Sequence, residues 1–378
     1  MSFFTSVEIT AIVLFFVALA VQVFYYLFFF TRLAFAKIPS PRPAERPPVS
    51  VILAARNEVH HLKKYLPDIL NQQYPDYEVV VVNHASDDET ADFLKEMQHR
   101  YPHLKVITIE QDLNFFHGKK FPLSIGIKSA AHDILLLTDA DCRPASPFWI
   151  RRMASQYDEQ TEVVIGYGPY MRKKGFLNRL IRYDTFVVAL QYLSFALAGK
   201  PYMGVGRNLS YRKSLFLKNK GFIAHYHVAS GDDDLFINEV SKQENTRVEL
   251  SPEAFVYSEP KTTLGEWIRQ KRRHLTTGKD YKPQFKLLLG IFSSGLVLYY
   301  TGFVWLVILG MQKPLLLWLV AGGAGVRFIL RAVIHKKALE RLQEKGLLWF
   351  SLCWEPVHLV LMLLLGFWGL FTKPAQWK

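Results

Sequence analysis

Long apolar runs near both ends of the chain predict helices that cross a membrane. The first run, residues 9–30, carries no charged side chain, and at about 1.5 Å per residue a helix of that length crosses a hydrocarbon core of roughly 30 Å. Glu8 precedes this run and bulky aromatic residues end it, unlike a cleaved signal peptide, so we predict a retained anchor. We expect about four transmembrane helices in all, one N-terminal and three C-terminal. The C-terminal runs are residues 287–310, 315–333 and 347–371.

Charged side chains fall inside the last two of these runs. Arg327 and Arg331 lie one helical turn apart, and we expect both to extend toward the same layer of lipid headgroups. Glu355 and His358 flank Pro356, which interrupts helical hydrogen bonding. Two interpretations stay open for this segment: it is re-entrant or interfacial, or its polar pair faces a protein or acceptor cavity.

The distribution of positive charge predicts the orientation in the membrane. Arg32, Lys37, Arg42 and Arg46 follow the first span, whereas residues 1–7 contain no Lys or Arg. Because Lys and Arg are retained on the cytoplasmic side, we expect the N-terminus outside and the middle of the chain in the cytoplasm. The protein is then an integral protein of the inner or plasma membrane.

Short apolar segments typical of strands alternate with longer segments of helical spacing in the middle of the chain, which predicts an α/β fold. The spacing of apolar residues over 59–72 predicts a helix between the first two predicted strands. The strands are apolar almost throughout rather than at every second position, which is typical of a parallel sheet covered on both faces. The predicted strands are residues 49–55, 77–82, 106–109 and 134–138.

Polar clusters follow three of these strands, at the edge of the sheet where ligands of such folds bind. They are Arg56-Asn57-Glu58, residues 83–90 and Asp139-Ala140-Asp141. Asp139 and Asp141 point the same way in an extended segment, so together they can hold a hard divalent cation whose other ligands are substrate phosphates. Alternatively, the two acids cap the following helix.

Three adjacent acids lie within residues 230–236. Their mutual repulsion favours a raised pKa at one of them, and a carboxylate beside an acceptor hydroxyl is a candidate general base. An acid-rich helix start, stabilised by capping and the helix dipole, predicts the same pattern.

A basic amphipathic helix is predicted over residues 266–274. One interpretation places it on the membrane surface, as its Trp267 suggests. In the other, Gln270 and Arg273 reach the active site, where a cation stabilises a diphosphate leaving group.

The formal net charge is +13. Basic residues beside the membrane helices and a site that handles phosphates account for this excess. Because the basic residues are dispersed and no nucleic-acid motif accompanies them, we expect no nucleic-acid partner. Cys142 and Cys353 are the only cysteines, which argues against a disulfide framework.

Taken in order, these segments resemble the motifs of family 2 glycosyltransferases, the inverting, membrane-associated enzymes that include cellulose and hyaluronan synthases and ceramide glucosyltransferase. Members of that family carry P-x-x-N-E, D-D-x-S-x-D-x-T, D-x-D, E-D and Q-x-x-R-W. The corresponding segments here are Ala55-Arg-Asn57-Glu58, Asn83-His-Ala-Ser86-Asp-Asp88-Glu-Thr90, Asp139-Ala-Asp141, Gly231-Asp232-Asp233-Asp234-Leu235 and Gln270-Lys-Arg-Arg273-His274. The resemblance covers residues 49–274 and implies the nucleotide-sugar-binding fold called GT-A.

The resemblance also implies roles for single residues. Asp232 would be the catalytic base, with the adjacent Asp233 as the rival assignment, and Gln270 and Arg273 would close over the diphosphate. Mg²⁺ or Mn²⁺ would be the cofactor, held by the D-x-D pair, and Lys119 would lie near the nucleotide. The implied donor-binding residues are Ala55, Asn57, Glu58, Asn83, Ser86, Asp88, Lys119, Asp139, Asp141 and His274, of which Asp139 and Asp141 hold the metal.

The chain departs from the family pattern at three positions. Asn83-His84 replaces the usual pair of aspartates, although an amide can still donate and accept hydrogen bonds at a pyrimidine edge. His274 replaces the usual Trp, and Gly231 stands where an acid is usual.

The stretch 166–211 is expected to bear on acceptor choice. Residues 186–197 predict either an amphipathic helix at the membrane surface or a segment packed in the core. Residues 204–208 resemble the acceptor-side loop of the family, where a small residue lets a sugar approach closely.

These observations predict an enzyme that moves a sugar from a nucleotide-sugar, a UDP-sugar by resemblance, to a lipid or lipid-linked acceptor at the membrane. The alternatives are a processive polysaccharide synthase and a non-catalytic nucleotide-sugar-binding or assembly subunit; partner proteins are not identified. The expected domains are an anchor (1–31), a proline-rich basic linker (32–48), a cytoplasmic GT-A domain (49–260), an interfacial segment (261–286) and a C-terminal transmembrane region (287–378).

Overall fold

The computed structural model describes residues 4–38, 46–110, 118–226, 228 and 230–371. The chain forms two compact units. The helical unit contains Met1–Ala36 and Lys282–Leu364, and the α/β unit contains Lys37–Tyr281 and Leu365–Lys378. His117 and His227, beside two of the predicted site segments, lie outside the described residues.

The secondary structure alternates in the α/β unit and is helical in the other. The helices are α1 Ser6–Tyr25, α2 Thr31–Ala34, α3 Val59–Leu70, α4 Thr90–Arg100, α5 Lys120–Ser129, α6 Trp149–Ala154, α7 Phe176–Leu197, α8 Lys213–Lys218, α9 Asp234–Val240, α10 Leu264–Leu275, α11 Pro283–Gly310, α12 Pro314–Arg341, α13 Leu348–Cys353 and α14 Glu355–Phe371. The strands are β1 Val49–Ala55, β2 Tyr77–His84, β3 Leu104–Ile109, β4 Ile134–Leu137, β5 Cys142–Pro144, β6 Val163–Ile165, β7 Leu209–Arg212, β8 Thr246–Val248 and β9 Val256–Ser258.

The central sheet of the described residues has seven strands in the order β3-β2-β1-β4-β7-β6-β8. β1 pairs in parallel with both β2 and β4, and β2 pairs in parallel with β3. β7 runs antiparallel to its neighbours β4 and β6, and β8 runs parallel to β6. The prediction of a mostly parallel α/β sheet is therefore confirmed.

The register of the sheet brings the predicted polar clusters to one edge. Ala55 at the end of β1 pairs with Asn83 near the end of β2, and Ile52 pairs with Leu137, the last residue of β4. Every residue of β1 is buried, because helices cover both faces of a parallel sheet. Its polar member, Ser50, donates a hydrogen bond to Glu78 Oε1 at 2.5 Å.

Helix α7 packs in the core of the α/β unit. Phe186 and Phe195 are fully buried, and Asp184 forms a 2.8 Å ion pair with Lys271 of α10. Although α7 is long and apolar enough to cross a membrane by length and composition, 67% of its most apolar window is buried within the protein. Of the two interpretations of residues 186–197, core packing is the one observed.

The helical unit contains the first three predicted membrane spans and most of the fourth, whose last residues belong to the α/β unit. A π-helical segment, Tyr26–Phe30, joins α1 to α2, and the continuous helix Ser6–Ala34, α11 and α12 are each long and apolar enough to cross a membrane. The last predicted C-terminal span is two helices, α13 and α14, separated at Trp354. These apolar helices, one N-terminal and the rest C-terminal, make the chain an integral membrane protein.

Close helix packing in this unit depends on glycine. A Cβ atom added at Gly302 of α11 would lie 3.2 Å from Cα of Phe15 in α1, and one added at Gly323 of α12 would lie 2.8 Å from the Phe15 ring. Phe15 itself is fully buried. The two glycines therefore allow α11 and α12 to approach α1 at the same residue, Phe15: α11 at its backbone and α12 at its ring.

The expectation that Arg327 and Arg331 extend toward lipid headgroups is wrong. Their guanidinium Nη1 atoms lie 2.8 Å and 3.1 Å from Oε2 of Glu355, and both arginine side chains are buried. Tyr300 also donates a 2.5 Å hydrogen bond to this carboxylate. Because the two arginines share this carboxylate, their burial costs less free energy than it would without any acidic partner.

Candidate active site

The loops after β1 and β2 are joined by hydrogen bonds between predicted site residues. The amide N–H of Asn57 donates to Ser86 Oγ at 3.0 Å, and Ser86 Oγ in turn donates to Asn83 Oδ1 at 2.6 Å. Asn57 Oδ1 accepts from the amide of Asp87 at 2.7 Å. Asn57 has a φ of 55°, a conformation that asparagine tolerates better than most residues. The arrangement explains why an asparagine fits this turn.

Asp88 and Glu58 lie at the starts of helices α3 and α4, where they form hydrogen bonds. Asp88 Oδ2 accepts from the amide of Val59 at 3.3 Å, and Asp88 Oδ1 accepts from the amide of Thr90 at 3.0 Å. The amide of Glu58 donates to Thr90 Oγ1, while the Glu58 carboxylate lies 2.5 Å from His61 Nδ1. Both acids are therefore engaged by the protein at the edge where donors bind in such sheets.

A cluster of possible metal ligands follows β4. Carboxylate oxygens of Asp139 and Asp141 and the sulfur of Cys142 all lie within 4.8 Å of one another. Burial raises the pKa of the Cys142 thiol well above its usual range, so this group stays protonated, and its sulfur lies 3.4 Å from Asp141 Oδ1 as a hydrogen-bond donor. The two carboxylates are the ligands that fit a hard divalent cation such as Mg²⁺ or Mn²⁺.

The two carboxylates differ in their electrostatic surroundings. Burial opposes ionisation of Asp139, but the charges of Lys119, Arg207 and Arg273 outweigh it and lower the pKa of this carboxyl. Burial and the neighbouring charge of Asp139 raise the pKa of Asp141 instead. Asp139 is therefore the more firmly ionised member of the pair.

Lys119, predicted near the nucleotide, forms an ion pair with Asp139. Burial opposes the charge of this ammonium group, but the carboxylates of Asp139, Asp232 and Asp233 outweigh it and raise the pKa of Lys119. The structure thus brings the D-x-D pair, Lys119 and the acidic segment into one electrostatic neighbourhood.

The three adjacent acids have different partners. Asp233 accepts from the amides of Gly206 at 2.7 Å and Asp234 at 2.8 Å. Asp234 accepts from the hydroxyl of Tyr281 at 2.8 Å and from Thr277 Oγ1. The carboxylate of Asp232 makes no hydrogen bond or ion pair with any residue that the structure describes.

Burial, with the charges of Asp232 and Asp234 next in importance, raises the pKa of Asp233 to about 7. A carboxyl with such a pKa changes its charge near neutral pH, which suits an acid–base role or the tuning of a neighbouring base. The two candidates for the base are therefore Asp232, whose carboxylate has no partner among the described residues, and Asp233, whose pKa is raised.

Helix α10 carries the predicted Gln270, Arg273 and His274. Gln270 Nε2 donates to the hydroxyl of Tyr170 at 3.0 Å, and Arg273 is close enough to lower the pKa of Asp139. Burial, followed by the charges of Arg273 and Lys271, lowers the pKa of His274 to about 3. His274 is therefore neutral at physiological pH. Because these contacts lie within the α/β unit, at least one face of α10 packs against it.

Arg207 and Tyr170 belong to the same neighbourhood but are absent from the predicted site residues. The guanidinium carbon of Arg207 lies 4.4 Å from the centroid of the Tyr170 ring. A Cβ atom at Gly168 would lie 2.6 Å from Cγ of Arg207, so that glycine makes room for the arginine. The aromatic run 167–170 and the loop 204–208 indicated this region in the sequence, but neither pattern identifies Arg207 as a site residue.

The sheet order, with an acid pair after β4 and basic residues around it, defines a glycosyltransferase of the GT-A fold. Residues 47–277 match the family described as "Glycosyltransferase like family 2", and the chain belongs to that family. Among curated relatives, the "Probable glycosyltransferase YdaM" of Bacillus subtilis is 27% identical over 246 residues, covering 61% of this chain and 54% of that protein.

A second relative is a "Poly-beta-1,6-N-acetyl-D-glucosamine synthase" of Staphylococcus epidermidis. It is 31% identical over 93 residues, which are 25% of this chain and 21% of the synthase. The matched region thus spans about half or less of the length of these relatives.

A solved structure shares the fold over most of the chain. It is a mannosyltransferase, PcManGT of Pyrobaculum calidifontis, in complex with GDP-Man and Mn²⁺. The similarity has a TM-score of 0.58 at 19% identity and covers 90% of this chain and 99% of that one.

Proposed function

We propose that this glycosyltransferase uses a divalent cation to transfer a sugar, with inversion, from a nucleotide-sugar to a lipid or lipid-linked acceptor. The observation that carries the proposal is the grouping of Asp139 and Asp141 with the cations of Lys119, Arg207 and Arg273. A nucleoside diphosphate is an anion that prefers both a bound metal and nearby cations.

In this proposal the D-x-D carboxylates hold Mg²⁺ or Mn²⁺, which would neutralise the charge that develops on the leaving diphosphate. The Mn²⁺ in the mannosyltransferase structure supports a divalent cation of this kind. The side chains of Lys119 and Arg273 stabilise the same negative charge of the diphosphate. Gln270 positions Tyr170 beside the site through a hydrogen bond. Asn57, Asn83 and Ser86 form the part of the donor site next to the sheet edge.

The chemical step needs one base. Asp232 accepts the proton of the acceptor hydroxyl, whose oxygen forms a bond to the anomeric carbon as the bond from that carbon to the phosphate oxygen breaks. The electrons of the broken bond leave with the nucleoside diphosphate, and attack from the opposite face inverts the anomeric centre. Asp232 is preferred because its carboxylate is unengaged within the described residues, whereas Asp233 is held by two amides.

The donor in this proposal is a UDP-sugar and the acceptor is a membrane lipid. A processive synthase needs a channel for a growing polymer, and the few long apolar helices of the helical unit favour a single addition. The polysaccharide synthase among the relatives supports the rival, and product length separates the two. We further propose that the α/β unit faces the cytoplasm, as the basic residues after the first span favour.

Nucleotide release tests this proposal. Purified full-length protein in detergent is offered UDP-, GDP- and dTDP-sugars with Mn²⁺ or Mg²⁺ and a membrane lipid extract. Release from one donor, lost on addition of EDTA, is expected. Donor binding without release from any member of the panel favours a non-catalytic binding subunit.

A further inference from the structure

Arg207 is one of the cations grouped around Asp139, but no motif and no step of the proposed reaction assigns it a substrate group of its own. It follows Gly206, whose amide donates to Asp233 at 2.7 Å, and it precedes Asn208. Asn208 is fully buried, with its Nδ2 donating to the carbonyls of Tyr167 and Ala254 at 2.8 Å each. Fixed neighbours on both sides therefore hold the backbone of Arg207.

The side chain of Arg207 is also held in place. Its guanidinium stacks on Tyr170, whose hydroxyl accepts a hydrogen bond from Gln270. Gly168 leaves the space that the side chain occupies. Stacking on an aromatic face orients a guanidinium while leaving its in-plane N–H groups available.

Within the part of the chain that the structure describes, Arg207 forms no ion pair with a carboxylate. Its nearest acid by electrostatic effect, Asp139, is already paired with Lys119. Nε of Arg207 is buried and has no hydrogen-bond partner among the residues that the structure describes. Lys119, Arg207 and Arg273 together bring three positive charges to one firmly ionised carboxylate. A buried donor without a partner costs free energy, which an incoming anion would recover.

We propose that the guanidinium of Arg207 binds a phosphate group of a substrate and so selects a phosphate-bearing ligand. Its planar fork matches a phosphate in two-point geometry, which a lysine at this position would not supply. The phosphate has two possible sources that share this chemistry: the diphosphate of the donor, or a phosphate that links the acceptor to its lipid. This inference deepens the proposed function and rests on it.

The test uses purified full-length protein in detergent with Mn²⁺, and compares the wild type with Arg207→Gln and Arg207→Lys. The probes are UDP and UMP for the donor, replaced by GDP and GMP if the donor panel selects guanosine, and farnesyl phosphate against farnesol for a lipid phosphate. Arg179→Gln, which changes an exposed arginine of the same unit, is the matched control.

Arg207→Gln is expected to weaken binding of a phosphate probe by about tenfold or more, since a charge-assisted hydrogen bond is lost. Weaker binding of UDP would show that Arg207 binds a phosphate of the donor. Weaker binding of farnesyl phosphate, with an unchanged affinity for farnesol, would show that it binds a phosphate of the acceptor. Arg207→Lys should recover only part of the affinity, and Arg179→Gln should bind every probe as the wild type does.

Wild-type affinity of Arg207→Gln for all the probes would overturn the inference while leaving the proposed function intact. A wild-type protein that binds none of the probes would overturn both. Gly168→Ala offers a second variant, because its added methyl group displaces the Arg207 side chain and should weaken the same probe as Arg207→Gln.

Discussion

The ammonium group of Lys119 forms an ion pair with Asp139, the first acid of the D-x-D pair. This contact joins a helix start after the third strand to the loop after the fourth. It means that Asp139 faces a cation of the protein as well as any metal that binds there. In the proposed site, Lys119 and a metal ion would therefore compete for one carboxylate and would cooperate in binding a diphosphate.

This relationship predicts opposite effects of Lys119→Gln on two ligands. Removing the ammonium group should tighten Mn²⁺ binding without nucleotide by a few-fold, because the metal no longer competes with a fixed charge. The same change should weaken UDP binding in the presence of Mn²⁺ by about tenfold, because a cation near the phosphates is lost. Electron paramagnetic resonance of free Mn²⁺ and calorimetry measure the two affinities. Weaker Mn²⁺ binding with unchanged UDP affinity would contradict this account.

Asp139→Asn and Asp141→Asn should each lower the rate of nucleotide release by about 100-fold or more, since the metal that we propose they hold would stabilise the leaving group in the transition state. Mn²⁺ affinity should fall in both variants. Asp92→Asn, which changes an exposed acid on the first turn of α4, is the control and should keep the wild-type rate. A wild-type rate in Asp139→Asn would remove this residue from the proposed metal site.

The raised pKa of Asp233 predicts a pH dependence near neutrality. With a pKa of about 7, Asp233 is protonated below that pH and ionised above it. A negative charge on Asp233 beside Asp232, the proposed base, would favour transfer of a proton from the acceptor, so kcat/KM should rise as the pH increases through about 7.

Two variants separate the acids. Asp233→Asn should remove the rise near neutral pH while retaining measurable turnover, whereas Asp232→Asn should abolish turnover at every pH. The reverse result, with turnover retained in Asp232→Asn and lost in Asp233→Asn, would assign the base to Asp233. Far-ultraviolet circular dichroism of both variants verifies that they remain folded.

The buried ion pairs of the helical unit predict a large effect on stability. Glu355→Gln leaves Arg327 and Arg331 without their shared carboxylate, and loss of one partner from a buried ion pair costs about 3 kcal/mol or more. The thermal unfolding midpoint in detergent should fall accordingly. Glu340→Gln, which breaks an exposed 3.4 Å pair with Lys337, should leave the midpoint nearly unchanged. Equal midpoints for the two variants would contradict a stabilising role for the cluster.

Features that depend on local pattern could be predicted from the sequence. The apolar run 49–55 predicts a buried strand because parallel strands covered on both faces lack polar alternation. The apolar run 134–138 predicts strand β4 in the same way, and Asp139 and Asp141 directly follow that run in the sequence. The GT-A fold, the family and the transferase class were predicted from such patterns and their order, and the comparisons with known proteins confirm them.

Features that depend on contacts distant in the chain could not be predicted. Arg327 and Arg331 meet Glu355 only because α12 and the α13–α14 segment pack together, so hydropathy alone suggested exposure to headgroups. Arg207 reaches Tyr170 from a different loop, across a space left by Gly168. The apolar composition of α7 was compatible with a membrane surface and with a protein core, and only the packed structure separates these environments.

The most direct test of the proposed function is transfer of a labelled sugar from the selected donor to a membrane lipid extract, followed by mass analysis of the lipid product. The account predicts a lipid that carries one added sugar, formed by the wild type with Mn²⁺ or Mg²⁺ and lost with EDTA or in Asp139→Asn. Donor binding with no transfer and no hydrolysis, across all donors and lipids offered, would contradict it.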